Sequence, residues 1–256
     1  NDTAIHMGRY GPGPVGGGYA GHESVVAMVR EHLAITLGRR QTRVVARFTF
    51  RNSQQAATAT QVLGFPDEAL ARAKFDPADA DRGSSPMVGP LRRLTTLVDG
   101  VVRPSKPQYG KVRWRADNLG WEVASGPTAS MPMAWHTVVV AFPPGRDVVV
   151  ERRYETDHGW NALPSKFFEY ITHTGGPWHG AIGELVADVT LTEGLTVDGL
   201  IWSGHKFKGY ASDPSTSTSP SRSQWQVRDQ THMRLVWTNF EPRTQRGRQG
   251  FKVVMP

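Results

Sequence analysis

The sequence contains no cysteine, and this absence excludes several kinds of site at once. Without thiols the chain can form neither disulfide bonds nor thiolate metal sites, and no cysteine can act as a nucleophile. Long hydrophobic runs are also missing, since apolar stretches such as 137–142 have the length of a strand. A membrane-spanning helix needs roughly 20 apolar residues, so no transmembrane segment is predicted.

Acidic residues are fewer than basic ones, which gives a net charge of +7. A basic protein favours anionic partners such as envelope polymers, lipid headgroups or nucleic acid. The basic residues are nevertheless scattered, with no run of five or six like charges. Because the aromatic and basic pattern of a nucleic-acid module is missing as well, we predict no nucleic-acid partner.

Helical periodicity is rare, whereas short alternating segments recur along the chain. Residues 44–51 alternate between apolar and other side chains, which is typical of a strand with one buried face. Turn residues at 52–54 and 143–146 predict two hairpins, and 67–74 predicts a short helix. The pattern predicts an all-β protein, an antiparallel β-sandwich with one or two short helices.

Two further segments have less clear patterns. His22 to Leu37 fits either one helix face or two alternating strands, and its β-branched residues favour two strands, at 25–29 and 33–37. Thr196 to Trp202 is predicted to form a strand bounded by glycine.

Glycine and proline suggest how the chain is divided. Residues 1–20 are rich in glycine and predict a flexible or loosely docked N-terminal arm. A soft boundary at Asp157 to Trp160 separates a β-sandwich subdomain, 21–157, from a β-rich subdomain, 158–256, that contains a Ser/Thr/Pro-rich loop at 212–223. One extended sandwich is the alternative.

The start of the chain bears on its compartment. It begins Asn1-Asp2-Thr3 without an initiator methionine, as a protein would after removal of a signal peptide, although a trimmed chain would begin in the same way. We therefore expect an extracytoplasmic protein that is secreted or associated with the cell envelope.

Several short motifs are spread over most of the chain, namely Asn1-Asp2, Met28 to Leu37, Val45 to Asn52, Val62 to Pro66, Tyr170 to Gly183 and Trp237 to Pro242. Together they resemble the motifs of a family of exported bacterial proteins of unknown function, the domain of unknown function forty-four twenty-four type. The resemblance implies an exported, strand-rich protein and offers no catalytic residues. The glycine-rich start and the Ser/Thr/Pro loop have no match in it.

Motifs for catalysis or metal binding are missing or weak. No Gly-x-Ser-x-Gly elbow and no His-Glu-x-x-His pair occurs. The carboxylates from Asp76 to Asp81 could offer oxygen ligands to calcium, but their spacing differs from an EF-hand and favours a solvated loop. No cofactor or metal is predicted. Asp157, Glu169 and Glu184 lie near aromatic residues, and this leaves a carbohydrate hydrolase open.

The densest grouping of aromatic and polar residues predicts a ligand platform. Flat rings beside hydrogen-bonding groups can stack on sugars, whereas rings in sandwiches more often belong to the core. Burial of Trp160 and Trp178 would therefore remove the site. The predicted ligand-binding residues are Asp157, His158, Trp160, Tyr170, His173, Trp178 and His179.

Together these observations predict an exported binding or structural module of the cell envelope. Its partner would be a glycan or an anionic wall polymer. Two alternatives stay open: a secreted hydrolase acting on wall carbohydrate, and a self-assembling surface subunit that adds an edge strand to a neighbouring copy.

Overall fold

The computed structural model describes residues 3–8, 11–14, 25–54, 57–75, 91–114, 121–123, 131–160, 166–172, 178–202, 224–240 and 250–256. Strands dominate this part of the chain, which confirms the all-β prediction. No helix within it has the length and apolar character needed to span a membrane.

The largest sheet has eight strands. Their bounds are β3 (Val26–Leu37), β4 (Gln41–Asn52), β6 (Leu91–Val98), β7 (Val101–Arg103), β11 (Asp147–Asp157), β14 (Ile182–Leu191), β15 (Gln226–Val227) and β16 (His232–Phe240). The strand order is β15-β16-β14-β3-β4-β11-β6-β7. β14 runs parallel to β3, so this sheet is mixed and not wholly antiparallel as predicted.

Two smaller sheets and one helix complete the described fold. The six-stranded sheet contains β1 (Thr3–Gly8), β2 (Gly11–Pro14), β5 (Ala59–Asp67), β8 (Lys106–Trp114), β9 (Trp121–Val123) and β10 (Met131–Phe142), in the order β2-β1-β5-β10-β8-β9. The three-stranded sheet contains β12 (Gly159–Trp160), β13 (Lys166–Ile171) and β17 (Gly250–Met255), in the order β12-β13-β17.

Helix α1 (Glu68–Phe75) confirms the helix predicted at 67–74. Its N-terminus is capped by Asp67, whose Oδ1 accepts a hydrogen bond from the Leu70 backbone N–H at 2.9 Å. Such a cap satisfies one of the N–H groups that the first turn leaves without a partner inside the helix. The helix packs against β10.

Both smaller sheets pack on the same face of the eight-stranded sheet. Phe142 of the six-stranded sheet lies edge-on to Phe50 of β4 with ring centroids 5.7 Å apart. From the three-stranded sheet, the Tyr170 hydroxyl of β13 donates to Glu31 Oε1 of β3 at 2.6 Å. The buried side chains form one continuous hydrophobic cluster.

The predicted boundary at Asp157 to Trp160 does not separate two cores. β11 ends at Asp157, and β14 and β16, which follow it in sequence, lie in the same sheet as β3 and β4. Strands from the segments 21–157 and 158–256 therefore share one sheet, and both segments contribute to one core cluster. The arm at 1–20 includes β1 and β2, and β1 pairs with β5.

Both predicted hairpins are wrong, because each pair of strands belongs to different sheets. β4 lies in the eight-stranded sheet and β5 in the six-stranded one, and β10 and β11 are divided in the same way. The turns at 52–54 and 143–146 are therefore corners between sheets. Turn residues bend the chain in both cases, so they do not reveal which strand will be the partner.

Two other segments differ from expectation. The two strands predicted at 25–29 and 33–37 are one strand, β3, whose register shifts between Met28 and Arg30. Such a bulge adds one residue to the strand, so the buried positions change from even-numbered residues before it to odd-numbered residues after it. At Thr196 to Trp202 the structure has a 3-10 turn, Val197–Gly199, and a single bridge from Ile201 to Val254. The loops at 76–81 and 212–223 lie outside the described residues.

Candidate anion-binding site

The structure buries two rings of the predicted ligand platform. Trp178 is 1% exposed and lies 4.5 Å from Phe50, measured between ring centroids. Tyr170 is also buried, in the same core cluster. These rings fill space between sheets and cannot stack on a ligand, so the platform prediction is corrected for both.

The other described members of the platform do not converge. The His179 backbone N–H donates to the Val26 carbonyl at one end of β3. His158 Nε2 lies 3.1 Å from Thr42 Oγ1, and Thr42 pairs with Leu37 at the opposite end of β3. Asp157 forms an ion pair with Arg92. His173 and the side chain of Trp160 lie outside the described residues.

Of the three acids considered for carbohydrate hydrolysis, Asp157 and Glu184 are kept apart. A glycosidase places its two carboxyl groups about 5–10 Å from each other. β14 and β11 are three strand spacings apart, about 14 Å, before any offset along the strands. Each acid has its own cation: Asp157 pairs with Arg92, Glu169 with Lys252, and Glu184 with Arg30.

Charged side chains instead gather on the outer face, the face of the eight-stranded sheet that is turned away from the core. They project from the positions that alternate with the buried residues. None of the outward residues of β3, β4, β11 or β14 is Trp, Tyr or Phe. The outward acids and bases are Arg30 and His32 on β3; Arg43, Arg47 and Arg51 on β4; Asp147, Glu151, Arg153, Glu155 and Asp157 on β11; and Glu184 and Asp188 on β14.

An open pocket of about 550 Å³ lies on this face. We call it the arginine pocket. Four neighbouring strands, β16, β14, β3 and β4, contribute to it, so its residues come from distant parts of the sequence. The charged lining residues are Arg30, His32, Arg47, Glu184 and Arg234.

Two carboxylates hold the arginines at the edge of the pocket. Asp188 accepts two hydrogen bonds from Arg234, from Nε to Oδ1 at 2.5 Å and from Nη2 to Oδ2 at 2.7 Å. This contact with Arg234 lowers the pKa of the Asp188 carboxyl, and His32, whose Nε2 is 3.0 Å from Oδ2, contributes less. Glu184 Oε2 lies 2.9 Å from Arg30 Nε. Both guanidinium groups are thereby oriented.

Arg47 differs from these arginines because no described acidic side chain forms an ion pair with it. Its cross-strand neighbours are His32 on β3 and Glu151 on β11. Glu151 Oε1 instead accepts a hydrogen bond from Arg153 Nε at 2.6 Å. Within the described part of the chain, the exposed Arg47 side chain makes no hydrogen bond or ion pair. The pocket therefore contains more guanidinium charge than its carboxylates neutralise.

A smaller pocket of about 280 Å³ shares Arg234 with the first and is also lined by Asp188. Its rim carries a second carboxylate, Asp229. The Thr231 backbone N–H and then His232 lower the pKa of this carboxyl to about 2. Because two carboxylates line it, the smaller pocket is less suited to an anion than the arginine pocket.

Comparison with known proteins identifies a shared fold. Neither a scan of protein-family models nor a search of curated proteins found a match. Among solved structures, the chain is similar to a putative nutrient binding protein from Legionella pneumophila, with 14% identity and a TM-score of 0.61 over 91% of this chain and 67% of that one. The two proteins share a fold.

A lower similarity links the chain to an M1 zinc metallopeptidase from Deinococcus radiodurans. The identity is 11% and the TM-score 0.36, and the match covers 91% of this chain and 43% of the peptidase. The chain thus spans less than half of that enzyme, and a likeness at this level indicates nothing about activity. Among the described residues, no group of three His, Asp or Glu side chains is placed to hold a metal ion.

The arginine pocket is suited to binding oxyanions. Guanidinium groups present several N–H donors in one plane, which suits the paired oxygens of phosphates and carboxylates. The sequence did not reveal this site. The alternation of β4 predicts that Arg47 points outward, but it does not show that the neighbouring Glu151 binds Arg153 instead of Arg47. Arg234 reaches the pocket through the pairing of β16 with β14, which the sequence pattern does not reveal either.

Proposed function

We propose that this protein is a binding module of the cell envelope that takes an anionic polymer in the arginine pocket. The observation that carries the proposal is Arg47, an exposed guanidinium that has no counter-ion among the described residues and lies beside two guanidiniums held by Glu184 and Asp188. An anion that enters the pocket supplies the missing negative charge.

Pre-orientation of the pocket supports a binding role. A side chain that is ordered before binding loses less conformational entropy when the ligand arrives. Arg234 is ordered by its two-point contact with Asp188, and Arg30 by Glu184. Arg47 remains to be ordered by the ligand. The suggested nutrient-binding role of the Legionella protein also favours a binding module over other functions in general terms.

The outer face favours an anion over a neutral sugar. Proteins bind neutral sugars largely by stacking them on aromatic rings. The outward residues of β3, β4, β11 and β14 include none of the three large aromatic residue types. They do include threonines, such as Thr49 in the pocket, that can bind hydroxyl groups next to a charge.

The test compares two arginines on the same face of β4. Isothermal titration calorimetry at low salt would measure binding of poly(glycerol phosphate) and of polygalacturonate to Arg47→Gln and Arg51→Gln. We expect Arg47→Gln to weaken binding about tenfold, equivalent to about 1.4 kcal/mol. Arg51→Gln removes the same charge, but Asp147 already neutralises Arg51, so the expected change is less than twofold.

Two outcomes would contradict the proposal. Equal losses of affinity in both variants would mean that only the net charge matters. If the wild type bound neither of the two polymers, the proposed function would be wrong. For the wild type, raising the salt to about 0.5 M should weaken binding strongly, because the pocket is open to solvent and such charges are screened within a few ångströms.

A further inference from the structure

A second excess of positive charge lies further along β4. Glu155 Oε1 is 3.2 Å from Arg43 Nε and 3.3 Å from Arg93 Nη1. One carboxylate thus serves two guanidinium groups, whose side chains are 65% and 78% exposed. Most of their N–H donors face solvent. We call this pair the Arg43–Arg93 position.

A bulge in β6 creates this position. The register between β6 and β11 shifts between Arg153 and Glu155, and Arg93 has a left-handed backbone with φ of 54°. In a regular strand Arg92 and Arg93 would point to opposite faces. Here both reach carboxylates on the outer face, Arg92 at Asp157 and Arg93 at Glu155. A left-handed backbone conformation is unfavourable for arginine, so the surrounding structure must stabilise it.

The two cationic positions lie in line along one strand. Arg43 and Arg47 are four residues apart on the outward side of β4, about 13 Å at 3.3 Å per residue. Only Val45 lies between them on that side of the strand. Arg51 lies at the same distance on the other side of Arg47, but its Nε and Nη2 both bind Asp147, at 2.6 and 2.9 Å. The unneutralised charge therefore extends from Arg47 in one direction only.

We infer that the ligand is a linear poly(polyol phosphate) that lies along β4 and occupies both the arginine pocket and the Arg43–Arg93 position. This inference rests on the proposed function and deepens it. One small anion cannot span about 13 Å, whereas a chain with repeated phosphodiesters can contact both positions at once. Joining two weak contacts in one chain raises the affinity well above that of either alone.

The chemistry of the face selects among polyanions. Arginine forks match phosphate oxygens, and a phosphodiester stays ionised at all physiological pH values. A single-stranded nucleic acid carries the same backbone charge, but its affinity depends on stacking of bases on aromatic side chains. The outward residues of β3, β4, β11 and β14 provide no Trp, Tyr or Phe for such stacking. A polymer of alditols and phosphates fits better.

The experiment measures how affinity depends on chain length in the full-length protein. Glycerol 1-phosphate and poly(glycerol phosphate) would be titrated into the wild type, Arg43→Gln and Arg51→Gln. The affinity for the polymer would be expressed per mole of polymer chain. We expect the wild type to bind the polymer at least tenfold more tightly than the monomer. Arg43→Gln should weaken polymer binding about fivefold and remove monomer binding at the Arg43–Arg93 position while the arginine pocket still binds the monomer, whereas Arg51→Gln should change neither ligand's binding by more than twofold.

Arg93→Gln serves as a second variant and should repeat the effect of Arg43→Gln. Thermal melts of all variants establish that they are folded. Equal affinities for monomer and polymer, or equal effects of Arg43→Gln and Arg51→Gln, would overturn the inference and leave the proposed function intact. Binding of polygalacturonate without binding of either glycerol phosphate ligand would overturn the inference alone, whereas binding of none of the three would overturn the proposed function. Tighter binding of oligo-deoxythymidine of matched charge would overturn the assignment to a polyol chain.

Discussion

At the scale of single residues, the side chain of Asn52 connects two corners of the chain by hydrogen bonds. Its Nδ2 donates to the Ala57 carbonyl at 2.7 Å and to the Phe142 carbonyl at 3.0 Å. Its Oδ1 accepts from the Gln54 backbone N–H at 2.9 Å. The side chain thus links the corner after β4 to the end of β10, where the chain also passes from one sheet to another. An amide can do this because it both donates and accepts.

Replacing Asn52 by alanine should destabilise the fold by about 2–3 kcal/mol, because the buried Phe142 carbonyl and two other groups lose their partner. Asn52→Asp should be at least as harmful, since a carboxylate would face two carbonyl oxygens. Urea unfolding measures both. Gln54→Ala is the control at an exposed neighbour and should change the free energy of unfolding by less than about 0.5 kcal/mol. An Asn52→Ala variant as stable as this control would contradict the assigned role.

His158 gives the stability a pH dependence. Burial lowers the pKa of its imidazole below the ordinary value of 6.5, and the Lys166 charge lowers it further. The folded protein therefore keeps His158 neutral where the unfolded chain takes up a proton. This contribution to stability is complete above pH 6.5 and is lost as the pH falls from 6.5 toward the folded pKa.

The melting temperature should consequently fall as the pH is lowered from about 7 to about 5. His158→Gln has no ionisable group and should show a shallower decline over this range. The comparison needs only thermal melts of both proteins in buffers of equal ionic strength. Parallel curves for the two proteins would show that His158 does not cause the pH dependence.

At the scale of elements, a polar contact joins the three-stranded sheet to the eight-stranded one. Glu31 is buried on the inner side of β3, after the bulge that shifts the phase of this strand. The hydroxyl of Tyr170 on β13 donates to its carboxylate. Glu31 also acts on Tyr154 of β11, since its charge adds to burial in raising the pKa of the Tyr154 hydroxyl.

Tyr170→Phe should therefore cost about 1.5–3 kcal/mol, the range for a hydrogen bond to a charged group. Glu31→Gln keeps an oxygen that can accept from Tyr170, so the cost of Tyr170→Phe should be smaller in that background. A double-mutant cycle by chemical unfolding gives the coupling energy. A coupling near zero would mean that the contact does not connect the two sheets energetically.

The elements also show what the sequence could reveal about the fold. Alternation located β4 well, because one buried face imposes a period of two. It did not reveal that β4 and β5 enter different sheets, since a corner and a hairpin need similar turn residues. The bulges in β3 and β6 were also missed, because one extra residue moves the pattern without an evident signal.

At the scale of the whole molecule, the candidate site is made by pairing of distant strands. Arg30 and Arg234 come together because β14 lies between β3 and β16. Local composition instead drew attention to the aromatic segment at 157–179, whose described rings Tyr170 and Trp178 are core residues. The described ends of the large sheet, β15 and β7, are short strands, which gives little support to assembly by edge-strand addition.

The shared sheet also predicts how the molecule unfolds. Cutting the chain at Asp157 would leave β3 without its parallel neighbour β14 and would expose inward residues such as Leu33 and Leu185, both fully buried in the intact protein. We expect segments 21–157 and 158–256, expressed separately, to lack cooperative melting and to bind hydrophobic dyes. The intact chain should unfold in one transition that is the same by tryptophan fluorescence and circular dichroism. Two separate transitions, or a stable 21–157 segment, would restore two independent subdomains, because each would then have a core that folds without the other.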